Sequence, residues 1–257
     1  MEDQRRIRLA GQRLSCLKRR CDSFQRVYRA WHAHQPNKNV LPRAIDLMRR
    51  TEVRAVIEQD EGQNVTDAQF EAFKDNFTEW STEWKNECDE RLRELIQASP
   101  AFKDKLQAGV DPLSLASVVF TCRRCSITTS RPQHIRTPPL YPAILTHDCL
   151  YPRKRECLID DPFERAAVCV SKVNMFGTHT FWSCDNLRLS THWSERMEKI
   201  ITMFNKDPRT ATREEMDMVD DVRVCCFKCP MNTPFLQDVM NWRHTVSRPQ
   251  RCALASF

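Results

Sequence analysis

Apolar residues recur at helical spacing along the first third of the chain. Ile7, Ala10, Leu14, Leu17, Cys21, Phe24, Tyr28 and Trp31 follow one another at alternating steps of three and four. That period of 3.5 predicts a helix over residues 5–32 with a narrow apolar seam. Such a seam most simply packs within its own chain, and it also suits helix-mediated self-association with a second copy. Pro42 fits the first turn of a helix over 42–59, whose inward face holds Ile45, Met48, Val53, Val56 and Ile57. Asp60-Glu61-Gly62-Gln63-Asn64 ends it. Thr66 and Gln69 then form a capping box, with Val65 and Phe70 placed as a hydrophobic staple. The helix they open is expected over 66–98, with Phe70, Phe73, Phe77, Trp80, Trp84, Cys88, Leu92 and Leu95 inward, until Ser99-Pro100 stops it. An aromatic stripe at this spacing is core rather than a ligand pocket.

Past residue 110 the pattern breaks up. Asp111-Pro112 predicts a short capped helix over 113–120. Ser190/Thr191 opens another, facing inward with Trp193, Met197, Ile200, Ile201 and Phe204, and Thr212 with Glu215 makes a second capping box. A further helix is expected around 235–246. Of 14 prolines and 13 cysteines, only two and three respectively precede Pro100. Domain organisation is therefore read as a helical region over 1–110 and a cysteine-rich region over 111–257.

Composition narrows the class. The 257 residues include only four glycines, which argues against sandwiches, barrels and phosphate-cradling loops, since these need positive φ. No run of 18 apolar residues occurs, so no membrane span is expected. Nothing after Met1 resembles a secretory h-region, which predicts a cytoplasmic or nuclear protein whose thiols stay reduced and available to metal. The net charge of +6 resides in residues 1–31, with nine Arg/Lys against three Asp/Glu; the remainder is formally neutral. Attraction to an acidic partner is thus a property of the first helix.

The chief chemical signal is Cys122-Arg123-Arg124-Cys125 followed by His147-Asp148-Cys149. A C-x-x-C turn aims two sulfurs at one point, and an H-x-C pair in an extended segment places both side chains on one face. Cys122, Cys125, His147 and Cys149 then make a Cys₃His set, which closes a tetrahedral structural Zn²⁺ site. Arg123 and Arg124 offset the net negative charge of three thiolates on zinc. The proline-rich, apolar-poor loop 126–146 is expected to depend on the metal rather than on a core for its order. Cys226-Phe227-Lys228-Cys229 is a second C-x-x-C, and with His244 and Cys252 it could form another Cys₃His site. Cys157, Cys169 and Cys184 have no paired spacing and read as packing residues. His32 and His34 lie where a helix dipole would favour imidazolium.

Catalytic patterns are missing. His147-Asp148-Cys149 lacks the glutamate of a zinc deaminase, no H-E-x-x-H, G-x-S-x-G, Walker or Rossmann motif occurs, and four protein ligands leave zinc no open position. The expectation is a protein that is not an enzyme.

Several ordered stretches add a resemblance. They are Asp111-Pro112-Leu113-Ser114-Leu115-Ala116-Ser117-Val118-Val119-Phe120 before the first C-x-x-C, Tyr141-Pro142-Ala143-Ile144-Leu145-Thr146 before His147, Asp207-Pro208-Arg209-Thr210-Ala211-Thr212 with Met216-Asp217, the second C-x-x-C, and Val239-Met240-Asn241-Trp242-Arg243. Over roughly 40–250 they resemble the C-terminal regions of uncharacterised proteins of mushroom-forming fungi, many of which begin with an F-box. The resemblance implies a substrate-recognition region and no known activity. This chain opens on the basic helix instead of an F-box, so docking to a ubiquitin-ligase scaffold does not carry over. Arg248 stands where that pattern usually has a histidine, which leaves His244 as the local substitute in the second metal set. The expected function is a non-enzymatic, zinc-stabilised protein-interaction module whose protein partner is unknown. The alternative is a nucleic-acid-binding zinc protein that uses Arg5–Arg29 on phosphates, with Arg123, Arg124 and Lys228 beside the metal turns.

Overall fold

The heptad seam of the first helix is realised, over part of its length, as the spine of a core. The structure is a computed structural model that describes residues 1–36, 40–103, 105, 107–127, 140–174, 177–219, 224–226, 242 and 254–256. It is mainly α-helical, with a helical bundle toward the N-terminus and a loop-rich part carrying short helices and strands. The chain divides into two compact units, each discontinuous in sequence: 1–88 with 150–183, and 89–149 with 184–257. The compositional shift near residue 110 is, by contrast, a single break.

In the first unit, α1 (Glu2–Ala33) packs against α8 (Pro162–Val170), α4 (Asp67–Glu71) and α2 (Ala44–Met48). Leu17, Cys21, Phe24, Val27 and Tyr28 of α1 lie in a core with Ile45, Met48, Val53, Ile57, Phe70, Phe77, Trp80, Phe163 and Ala167. The front of the seam differs. Every residue from Glu2 to Arg13 is exposed, and Ile7 and Leu9 show 71% and 50% of their surface. Self-packing of the seam thus starts at Leu14 and excludes Ile7 and Ala10.

Two long helices of the sequence pattern are broken. The expected 42–59 helix is α2 followed by α3 (Thr51–Ile57). The apolar positions step by five from Met48 to Val53, a phase slip that one straight helix cannot keep on one face. The expected 66–98 helix is α4, a 3₁₀ turn at Lys74–Asn76, and α5 (Phe77–Gln97). Phe70 and Phe77 both meet Phe24 edge-on, with centroids at 5.5 and 5.8 Å. In an unbroken helix they would sit about 10.5 Å apart along the axis. The 3₁₀ turn folds the second back onto the same ring. Thr66 and Gln69 do form the capping box, and Ser99-Pro100 follows the end of α5 before a short α6 (Pro100–Lys103).

The segment 150–183 joins this unit through Asp46. Its carboxylate, half-buried, accepts from the backbone N–H of Trp182 (2.9 Å) and of Arg43 (2.9 Å) and from the Tyr151 hydroxyl (3.0 Å). Burial pushes its pKa up to about 6, against the pull of those donors and of the Arg43 guanidinium. A carboxyl whose folded pKa exceeds its unfolded value stabilises most below the unfolded value and less as pH rises through the folded one. Unfolding by urea should therefore show a contribution of about 3 kcal/mol lost between roughly pH 4 and 6. Asp46→Asn should remove that difference relative to wild type, and an unchanged pH slope would count against it.

The second unit holds three elements that lead to the cysteines: β1 (Phe120–Cys122), α7 (Arg123–Ile127) and β4 (Leu187–Leu189), with β1 and β4 antiparallel and Cys122 opposite Leu187. Its other members include α9 (Thr191–Met203), α10 (Arg213–Asp217) and the antiparallel pair β5 (Val224–Cys226) and β6 (Leu254–Ser256). A further pair, β2 (Lys172–Asn174) and β3 (Gly177–Thr178), belongs to the first unit. Ser190 caps α9 by accepting from Trp193 N–H, and Thr212 and Glu215 form the expected box on α10. Asn205, at φ 56°, closes α9: its N–H donates to Thr202 and that of Lys206 to Ile201, satisfying carbonyls that the helix end leaves over.

The short helix expected over 113–120 is absent. Asp111 does accept from Leu113 N–H, but Leu115 makes a bridge with Thr212, and Ala116 N–H donates to Ala211. The buried guanidinium of Arg213 takes the carbonyls of Leu113 and Val118. Backbone groups that a helix would have used internally are thus paired with residues about a hundred positions away, and the segment enters β1 extended.

Candidate metal centre

Cys122 ends β1 and Cys125 lies in the first turn of α7, so the C-x-x-C pair sits where a strand turns into a helix. Arg123 N–H at that turn donates to the Asn186 carbonyl at 2.8 Å. His147 and Cys149 come from the other side of the loop. The extended H-x-C segment expected there is instead one extended residue, His147 (φ −64°, ψ 126°), between 3₁₀ turns at Ala143–Thr146 and Asp148–Leu150. Prolines at the start of this stretch favour tight turns over a strand, and the turns still deliver both side chains to one place.

The four ligand atoms all lie within 4.8 Å of one another. Cys125 Sγ is 3.7 Å from Cys149 Sγ and 3.3 Å from His147 Nε2. Zinc–sulfur bonds of about 2.3 Å at tetrahedral angles put two sulfurs about 3.8 Å apart, and a sulfur and an imidazole nitrogen about 3.6 Å apart. The Cys125–Cys149 edge matches this spacing, the Cys125–His147 edge is shorter, and the whole set is close enough to chelate one ion. Cys122 is 4% exposed, while Cys125 and Cys149 are half-buried. Burial, then the hydrogen bond shared with Cys125 and the charges of Cys122 and Cys125, push the Cys149 thiol up to about 12. Three thiols this close cannot all ionise without a cation among them.

What holds the ligands is legible only in three dimensions. Asn186 ties both ligand segments together: its side-chain amide donates to the Cys149 carbonyl at 3.1 Å, and its own carbonyl receives Arg123 N–H. Behind the return end of the loop, Leu140, Ile144 and Leu145 are buried. The expectation that 126–146 has no core to order it is therefore corrected for 140–146, whose few apolar residues are spaced to reach inward together. Tyr141 donates to Asp89 at 2.9 Å and lies under the Arg213 guanidinium, 5.6 Å from the ring centroid. The sequence reading missed Asn186, which had no signal beyond an Asp-Asn turn ahead of a strand. Asn186→Ala is expected to weaken metal binding by roughly tenfold, as losing a group that orients ligands does. Competition against a zinc chelator measures it, and wild-type affinity would contradict it.

In the second ligand set only the backbone of Cys226, in β5, is described; Cys229, His244 and Cys252 lie outside the described residues. The expected 235–246 helix does too, save Trp242, which is buried and donates to Asp217. Cys169 is buried, Cys184 half-buried and Cys157 exposed, and none of these joins a group of ligands among the described residues. His34 Nδ1 sits 2.7 Å from the Ala30 carbonyl at the end of α1, and His179 is buried against the Tyr151 carbonyl. No helix of the described residues is long and apolar enough to cross a membrane.

No protein-family profile, no curated protein and no solved structure matches the chain.

Proposed function

We propose that the chain is a non-enzymatic interaction module whose second unit is held together by structural zinc at Cys122, Cys125, His147 and Cys149. The observation that carries this is the convergence of four ligand atoms within 4.8 Å, with sulfur spacing close to a tetrahedral edge. Three thiolates and an imidazole favour zinc over magnesium or calcium, which take oxygen. They fill its tetrahedron and leave no position for water or substrate, which is the arrangement of a structural site. A metal so placed fixes the β1 turn against the 140–149 segment, giving the second unit a rigid edge on which another protein could dock. The resemblance of its ordered motifs to those of fungal F-box-type proteins supports a substrate-recognition role. Purified protein analysed by mass spectrometry for metals should contain at least about one zinc per chain. Folded protein with less than about half an equivalent would overturn the proposal.

A further inference from the structure

From Gln4 to Cys21 the chain carries Arg5, Arg6, Arg8, Arg13, Lys18, Arg19 and Arg20 and no acidic residue. Arg20 is spent inside the first unit, and Arg6 reaches Asp3 only at 3.6 Å with both side chains above 80% exposed. Arg5, Arg8, Arg13 and Arg19 form no ion pair among the described residues, and all four are exposed. Residues 2–13 are bare on every side of the helix, about 18 Å of it. On the face opposite the buried seam, Arg5, Arg8, Gln12, Ser15 and Arg19 succeed one another at steps of three and four, forming one polar stripe. Glu61 faces this stripe near Arg8 and Arg19.

We propose that the exposed end of α1 binds the phosphate backbone of a nucleic-acid duplex. Arginine forks match phosphate oxygens, and Gln12 adds a neutral donor of the kind that positions a protein on a backbone. The stripe has no aromatic ring on which unpaired bases would stack, which favours duplex over single strand. A bare helix 10–12 Å across also fits a major groove about 12 Å wide. A second copy of the chain fits poorly, because residues 4–21 offer no carboxylate to offset the arginines of a partner helix. A lipid surface fits poorly too: Ile7 and Leu9, two positions apart, point to opposite sides of the helix rather than making one apolar face. The inference goes beyond the metal centre, which lies in the other unit.

The test is fluorescence anisotropy of a labelled DNA duplex with the full chain, its metal content measured on the same sample. With four phosphates engaged, affinity should fall about 150-fold between 50 and 200 mM salt. The variant Arg5→Gln/Arg8→Gln/Arg19→Gln changes only exposed residues and should keep its helicity and metal content. Its logarithmic salt slope should drop from about −3.6 to about −0.9, while Arg209→Gln, in the other unit, should leave the slope unchanged. Three results would overturn the proposal: no binding at 50 mM salt, the same slope in the triple variant, or displacement of the duplex by polyglutamate of equal charge. Binding to phosphatidylserine vesicles in place of duplex would overturn it as well. A protein free of zinc that still binds duplex refutes the metal proposal and leaves this one standing.

Discussion

Cys122→Ser is expected to cost the protein its metal and the ordered state of its second unit. A serine hydroxyl stays protonated at neutral pH and does not replace a thiolate on zinc. Structural zinc contributes on the order of 10 kcal/mol in small metal-dependent units, comparable with the whole stability of an ordinary domain. Cys122 is buried at the end of β1, opposite Leu187, so its loss also unseats the strand pair that aims the site. Leu140, Ile144 and Leu145 anchor the far side of the loop and are too few to replace the ion. Hydrogen exchange should show amides of β1, β4 and the 140–149 turns losing protection, while those of α1 and α8 keep it. Wild-type protein treated with a strong chelator should behave alike. Unchanged protection and metal content in Cys122→Ser would contradict the assignment.

Arg20→Met is expected to be the most damaging change in the first unit, at about 3–5 kcal/mol. Arg20 is 4% exposed, and its guanidinium donates to four carbonyls, those of Ile57, Gln59, Asp60 and Gln63, three of them at 2.8–3.0 Å. Ile57 ends α3, so the guanidinium meets carbonyls that a helix terminus leaves unpaired, at the negative end of its dipole. Methionine fits the space and supplies no donor, which strands those carbonyls. Arg20→Lys keeps the charge but has three donors for four acceptors, and should fall between. Urea unfolding checks both; a methionine variant within about 0.5 kcal/mol of wild type would show that the carbonyls find water instead.

These two sites mark what the sequence could and could not reveal. Signals carried by neighbouring residues survived folding: the capping boxes Thr66/Gln69 and Thr212/Glu215, Ser190 at the head of α9, and the Cys and His spacings of the metal centre. In the sequence Arg20 is simply one of the nine basic residues of 1–31, because a charge in a helix gives no sign of whether a distant loop will enclose it. The helix expected over 113–120 failed for a related reason, since its pattern is local and its competitors, Ala211, Thr212 and Arg213, are not. Nor does the periodicity of α1 say that α8, more than a hundred residues away, covers it, or that Asp46 ties Tyr151 and Trp182 to the same unit. Asn186 belongs with these: one side chain joins two ligand segments that only the fold brings together.

The claim on which the rest depends is that one ion joins the two sides of the 126–146 loop. X-ray absorption at the zinc edge of the purified protein reads that shell directly. About three sulfurs at about 2.3 Å and one nitrogen at about 2.0–2.1 Å are expected around each zinc of the first site. In a Cys226→Ser/Cys229→Ser background, which removes the second C-x-x-C, that shell should persist unchanged. A shell of oxygens, or the loss of all zinc in that background, would contradict it.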